Sequence, residues 1–170
     1  MSTSVRKLLL WLSLICLAPG LLAAEINVKD GESIQDAVNK AEPGDVILIH
    51  PGTYKESVYI DKDDITLRGV VVDGEWPVME GEGKLNDAVL YSGNGVTVEW
   101  LTIQHYKGNA IMGQAGNNYV IRYNRVIDTG VYGIFPQLEI QGALVDHAGI
   151  ALGAGDGHFL CVGQQLRGIA

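Results

Sequence analysis

Hydrophobic and polar positions change period once along this chain. Glu25-Ile26-Asn27-Val28 alternates and predicts a short strand. Ile34, Ala37, Val38 and Ala41 then recur at i, i+3, i+4 and i+7, the apolar stripe of a short helix. Ser33 stands where a cap belongs, Asp36 follows three residues on as in a capping box, and Pro43-Gly44-Asp45 ends the segment. After that no helical period returns. Val46-Ile47-Leu48-Ile49 is a continuous apolar run, the mark of a strand covered on both faces. Pro51-Gly52 turns it, and Val58-Tyr59-Ile60 and Ile65-Thr66-Leu67 follow. Strands this short bury too little to stand alone, so each needs neighbours stacked on it.

Shifting the chain along itself by about 23 residues supplies those neighbours. Gly93-Asn94 falls on Gly116-Asn117, Val98 on Ile121, Trp100 on Tyr123 and Ile103 on Val126. Asn86 falls on Asn109, Ala110 on Gly133 and Ile111 on Ile134, while Glu99 meets Arg122 as a cross-coil ion pair. The expected fold is all-β: a right-handed parallel β-helix with coils of about 23 residues and a short N-terminal capping helix. The strand and capping helix occupy 25–45, the coils 46–136, and degenerate or truncated last coils 137–170. In that tail Ala143-Leu144-Val145 is placed on Val120-Ile121-Arg122 and Gly153 on Gly130. The end carries no amphipathic cap, so the expectation is a truncated or frame-shifted form of a longer protein; the alternative is a short protein that self-associates through its uncapped C-terminal end.

Residues 1–24 read as a signal peptide. Arg6 and Lys7 precede the apolar run Leu8 to Leu17, Pro19-Gly20 breaks it, and Leu22-Ala23-Ala24 offers a small-residue cleavage site. The predicted location is periplasmic or secreted, with no stable membrane span after cleavage. Losing Arg6 and Lys7 and no acid takes the formal charge from −8 to about −10. A chain so acidic is a poor partner for nucleic acid, and it grips an acidic polysaccharide only through a local basic patch or a bridging calcium ion. Cys16 leaves with the leader, so Cys161 has no partner for a disulfide.

Ser33-Ile34-Gln35-Asp36-Ala37-Val38, Pro43-Gly44-Asp45-Val46-Ile47-Leu48-Ile49 and Pro51-Gly52-Thr53-Tyr54-Lys55-Glu56-Ser57-Val58 together resemble the opening of the pectin-lyase-like superfamily. That opening is shared by exported bacterial parallel β-helix repeat proteins and pectin methylesterases, and the resemblance spans roughly residues 25 to 136. It implies the fold and leaves the activity open. The esterases' downstream Gln-Asp-Thr-Leu, Asp-Phe-Ile-Phe-Gly and Leu-Gly-Arg-Pro-Trp segments are missing from this sequence, so esterase chemistry is not expected. Nor is the pectate lyases' calcium-binding acid cluster beside an arginine recognisable as a motif.

Three constellations remain. At the 23-residue stride His105 lies over Asp128, where a carboxylate orients a histidine for proton transfer, with Tyr106 and Lys107 as acid and cation. Asn109, Tyr132 below it and Trp100 are the candidate substrate contacts; Trp100 over Tyr123 also reads as a packing pair. Asp61, Asp63 and Asp64, with Asp73, Glu75, Glu80, Glu82 and Asp87 further on, offer oxygens for calcium, although the Asp61–Asp64 run equally reads as an ordinary turn. The functional expectation is binding or processing of an acidic polysaccharide, lyase- or epimerase-like if catalytic. The alternatives are a non-catalytic envelope or glycan-binding protein and a periplasmic metal-site maturation factor.

Overall fold

The computed structural model describes residues 23–135, 144–146 and 149–151. Those residues form a parallel β-solenoid of about 5 turns. Residues 1–22, most of the segment read as a signal peptide, lie outside them, as do Cys161, His147, His158 and the Gly153–Gly130 pairing. Among the described residues no helix is long and apolar enough to cross a membrane.

Each turn visits three sheets in the same order. Sheet A stacks β1 (Glu25–Val28), β2 (Val46–Ile49), β5 (Thr66–Gly69), β8 (Thr97–Glu99), β11 (Val120–Arg122) and β14 (Leu144–Asp146). Sheet B stacks β3 (Thr53–Tyr54), β6 (Val78–Glu80), β9 (Thr102–Gln104), β12 (Arg125–Ile127) and β15 (Gly149–Ala151). Sheet C stacks β4 (Val58–Ile60), β7 (Val89–Tyr91), β10 (Ile111–Gly113) and β13 (Ile134–Phe135). Every pairing between these strands is parallel, and alternation sends Ile47, Leu67, Val98, Ile103, Val126 and Ile111 into one axial core.

The stride seen in the sequence sets most of the register. Val98 pairs with Ile121, Ile103 with Val126 and Ile111 with Ile134. Two predicted pairings are off by one residue. Asn109 lies over Asp87 rather than Asn86, because the 81–88 corner is longer than the 105–110 corner above it. Leu144, not Ala143, pairs with Val120.

A long excursion, 70–77, joins β5 to β6. It folds back on itself at Asp73-Gly74, both at positive φ, with Val72 and Glu75 exchanging two backbone hydrogen bonds; this is the geometry an Asp-Gly hairpin turn favours. Gly69 at the end of β5 admits no side chain, since a Cβ there would sit 1.9 Å from the Trp100 carbonyl oxygen.

The open first coil is closed by α1 (Ile34–Lys40), whose Ile34, Ala37 and Val38 are buried on the core. Ser33 Oγ accepts the Asp36 amide as expected. The carboxylate that completes the cap comes from Glu56, one coil away, which accepts from Ser33 Oγ and the amides of Ile34 and Gln35. At the other helix end Lys62 Nζ donates to the carbonyls of Val38, Asn39 and Ala41. The Gln35 side chain replaces a missing strand at the edge of sheet C by bonding both the amide and the carbonyl of Tyr59. Asp30 does the same for sheet B by accepting the Thr53 amide.

Candidate functional site

The three sheets meet at three corners, and the residues singled out in the sequence are divided among them. Asp61, Asp63 and Asp64 stand on the corner between sheets C and A. The Asp63 carboxylate is taken by Asn94, accepting its amide at 2.7 Å and its side-chain Nδ2 at 3.1 Å, while the Asp64 amide donates to the Asn94 carbonyl. The wider acid set is scattered over other corners, and among the described residues no three His, Cys, Asp or Glu side chains come together to hold a metal ion. These aspartates order a turn; they do not converge on a cation.

Trp100 occupies the corner between sheets A and B, at φ 62°. Tyr123 stacks on it at 4.8 Å, as the stride required, and Trp76 from the 70–77 excursion tilts against it at 5.5 Å. Trp100 therefore has ring neighbours on the coils before and after it, yet remains 36% exposed. The Arg125 guanidinium lies 3.8 Å from the Trp76 ring centroid. Their contact spans the outer row Val78-Thr102-Arg125 of sheet B, and Thr102 in the middle is buried although its register sets it outward. On sheet A beside this ladder, Glu99 lies between Arg68 at 2.5 Å and Arg122 at 2.6 Å.

The remaining candidates lie on the corner between sheets B and C. His105 is there, at φ 56° and with its side chain 43% exposed, but its carboxylate is Glu80 on the preceding coil, not Asp128. Nδ1 is 2.9 Å from both Glu80 oxygens. Asp128 takes the equivalent corner position one coil on and makes no hydrogen bond to His105. The reason is register: Glu80 and Gln104 are paired across β6 and β9, so the residue after Gln104 reaches back to Glu80.

Tyr106 is not a surface acid. The left-handed corner at His105 turns the next side chain inward, and the Tyr106 hydroxyl donates to the Glu56 carbonyl at 2.6 Å. Burial pushes its phenol well above the ordinary tyrosine value. Asn109 is not an exposed ligand either: its amide and Nδ2 both donate to Asp87 Oδ1 at 2.7 Å inside the corner. Tyr132 stacks on Phe135 at 4.8 Å, which occupies one face of its ring. Lys107 is exposed and makes no ion pair among the described residues.

What the structure does assemble is a polar strip on the outer edge of sheet B. Lys55, Lys84 and Lys107 come from three successive coils of the B–C corner. Glu82 bridges the first two, at 2.5 Å to Lys55 and 2.9 Å to Lys84. Those two lysines hold the Glu82 carboxyl at about 2, and Glu82 in turn raises Lys55. At Glu80 burial pushes the carboxyl upward, but hydrogen bonds from Gln104, the Glu82 amide and His105 outweigh it, so the carboxyl stays below its ordinary value. His105 Nε2 has no partner among the described residues, so it can accept or donate a proton at the surface.

Gln104 and Arg125 escaped the sequence reading, and Glu80 entered it only among the acids offered to calcium, not as the partner of His105. Glu80 and Gln104, like Trp76 and Trp100, are separated by 24 residues, one more than the stride, with the 81–88 insertion between them.

No family model matches this chain, and neither does any curated protein or solved structure.

Proposed function

We propose that this chain binds an acidic polysaccharide against the outer face of sheet B and the B–C corner, and that His105 exchanges a proton with the bound sugar. The observation that carries this reading is an exposed imidazole whose Nε2 has no partner among the described residues, in a strip where Lys107 and Arg125 add positive charge in an otherwise acidic molecule. That strip answers the need, set by net charge, for a local basic patch. A uronate laid there would meet a cation for its carboxylate and a base for the proton beside it. In lyase-type chemistry the C5–H bond breaks, its proton goes to Nε2, and the electron pair forms C4=C5 as the C4–O bond breaks. The departing oxygen is then protonated from water.

The opening segment, the apolar leader and the coil repeat together support placing the chain with exported pectin-lyase-like β-helix proteins, in the periplasm or outside the cell. Mass spectrometry of the mature protein tests export, with Glu25 expected at the N-terminus.

A panel of polyuronates tests the function. Binding by calorimetry and ultraviolet absorbance of an unsaturated product are expected from the intact protein. His105→Ala should abolish turnover and keep binding. Arg125→Ala or Lys107→Ala should weaken binding about tenfold, the scale of one charge-assisted hydrogen bond of ~1.5 kcal/mol. An unchanged rate in His105→Ala removes that residue from the site, and absence of binding to every polyuronate removes the reading. A second reading, a glycan-binding protein without chemistry, has the inward Tyr106 hydroxyl on its side; binding with no product from any glycan would favour it.

A further inference from the structure

Among the described residues, the side chain bonded to the His105 ring comes from the coil before it. Glu80 presents both oxygens to Nδ1 at 2.9 Å. Its Oε2 also accepts Gln104 Nε2 at 2.8 Å, and its Oε1 accepts the Glu82 amide at 2.8 Å. A carboxylate held at both oxygens by neighbouring donors cannot swing away from the ring. Glu82 itself is engaged with Lys55 and Lys84, while Asp128 and Lys107 on the same corner make no hydrogen bond to the imidazole. An ionised carboxylate only accepts, so the hydrogen in this contact belongs to the ring. A neutral imidazole carries one N–H, and here Nδ1 must have it.

We propose that Glu80 is a positioning residue, which locks His105 in the Nδ1–H tautomer and so makes Nε2, with its lone pair outward, the atom that meets the ligand. Gln104 and the Glu82 amide are the braces that keep Glu80 in place. The identity of the ligand rests on the polysaccharide reading above; the tautomer does not, and it can be measured on the protein alone.

Long-range proton–nitrogen correlation spectra of the whole chain, taken above the histidine titration, read the tautomer directly, with His105→Ala identifying the resonance. The wild type is expected to show a protonated Nδ1 and a bare Nε2. Glu80→Ala should move most of the population to the Nε2–H form that an unconstrained histidine side chain prefers, and Glu80→Gln, whose amide oxygen still accepts, should retain much of the original form. Amide spectra that match the wild type would show that both variants fold. An Nε2–H tautomer in the wild type, or the same tautomer in wild type and Glu80→Ala, overturns the proposal.

On a polyuronate that the wild type cleaves, Glu80→Ala should lower kcat more than tenfold with KM within twofold, and Glu80→Gln should recover part of it. A raised KM with unchanged kcat would make Glu80 a binding residue and overturn its positioning role. An Nδ1–H tautomer lost only in Glu80→Ala, alongside no turnover of any glycan, upholds the positioning role and defeats the catalytic reading instead.

Discussion

Asn124 shows how a single side chain ties two coils together. It is buried between β11 and β12, its Oδ1 accepting the Leu101 amide at 3.1 Å and its Nδ2 donating to the Val98 carbonyl at 2.9 Å. Both partners are on the coil before, so the amide acts as a short length of ladder where the chain turns. Asn124→Ala leaves the buried Leu101 amide without its acceptor and takes a donor from the Val98 carbonyl, at a cost of about 2 kcal/mol, and a urea titration should show the midpoint falling with an unchanged slope. Asn124→Asp tests the cause: the Leu101 contact survives, but a buried carboxylate then faces the Val98 carbonyl in place of a donor, so the loss should be at least as large. Pairs at the regular stride, Glu99 with Arg122 and Trp100 with Tyr123, were legible in the sequence because both members lie within uninterrupted coils. The direction of Tyr106 was not, since a left-handed residue at His105 resets the inward–outward alternation and nothing in the identity of histidine announces it.

At the scale of elements, the helix that closes the solenoid is held at both ends by charges from the coil beneath it. The apolar stripe of α1 and its Ser33 cap could be read from the sequence, as could the Pro51 to Glu56 segment as a sign of the fold. The physical link between them could not: Glu56 serves as a cap for a helix 22 residues earlier in the chain, beyond the reach of any local capping rule. Glu56→Ala leaves the Ile34 and Gln35 amides and Ser33 Oγ without that acceptor, and about 2–3 kcal/mol of stability should be lost, as for hydrogen bonds to a charged group. Lys62→Ala removes a donor shared by three terminal carbonyls that water can partly replace, so about 1 kcal/mol is expected. Amide hydrogen exchange separates the two: Glu56→Ala should speed exchange in α1 and β4 first, because the unclamped helix also withdraws Gln35 from the edge of sheet C. Uniform acceleration across the late coils would refute this local role. The insertion at 81–88 explains why the candidate site was half legible: His105 and Lys107 stand in regular coils, whereas Glu80 on β6 lies 24 residues before the Gln104 it pairs with, off the regular stride.

For the whole molecule, ionisable groups of opposite behaviour bound its stability in pH. On the acid side the depressed carboxyls are Glu82, held at about 2 by Lys55 and then Lys84, Glu80, and Asp45, which accepts the Glu42 and Ala24 amides. A carboxyl whose folded value lies below its unfolded one stabilises fully above the unfolded value and loses that contribution as pH falls through the folded one. With an ordinary glutamate value of 4.5, the Glu82 contribution should therefore fade between 4.5 and about 2. On the alkaline side, burial, followed by the nearby acids Asp30, Glu32 and Glu56, raises Tyr54 from 10.0 to about 12, and burial pushes Tyr91 and Tyr106 higher still. These phenols stabilise the fold fully below 10.0 and cease to do so as pH rises through their folded values. Between the two windows they add no slope, because each of these groups holds the same charge folded and unfolded. Thermal melts across pH should thus fall away on both sides of a broad plateau. Glu82→Gln should make the acid limb shallower and, because Lys55 loses the partner that raises it, ease the alkaline limb slightly; Tyr106→Phe should make the alkaline limb shallower and leave the acid limb untouched. An acid limb as steep in Glu82→Gln as in the wild type would mean that the Lys55–Glu82–Lys84 bridge is too well solvated to matter, and that acid sensitivity resides in Asp45 and Glu80 instead.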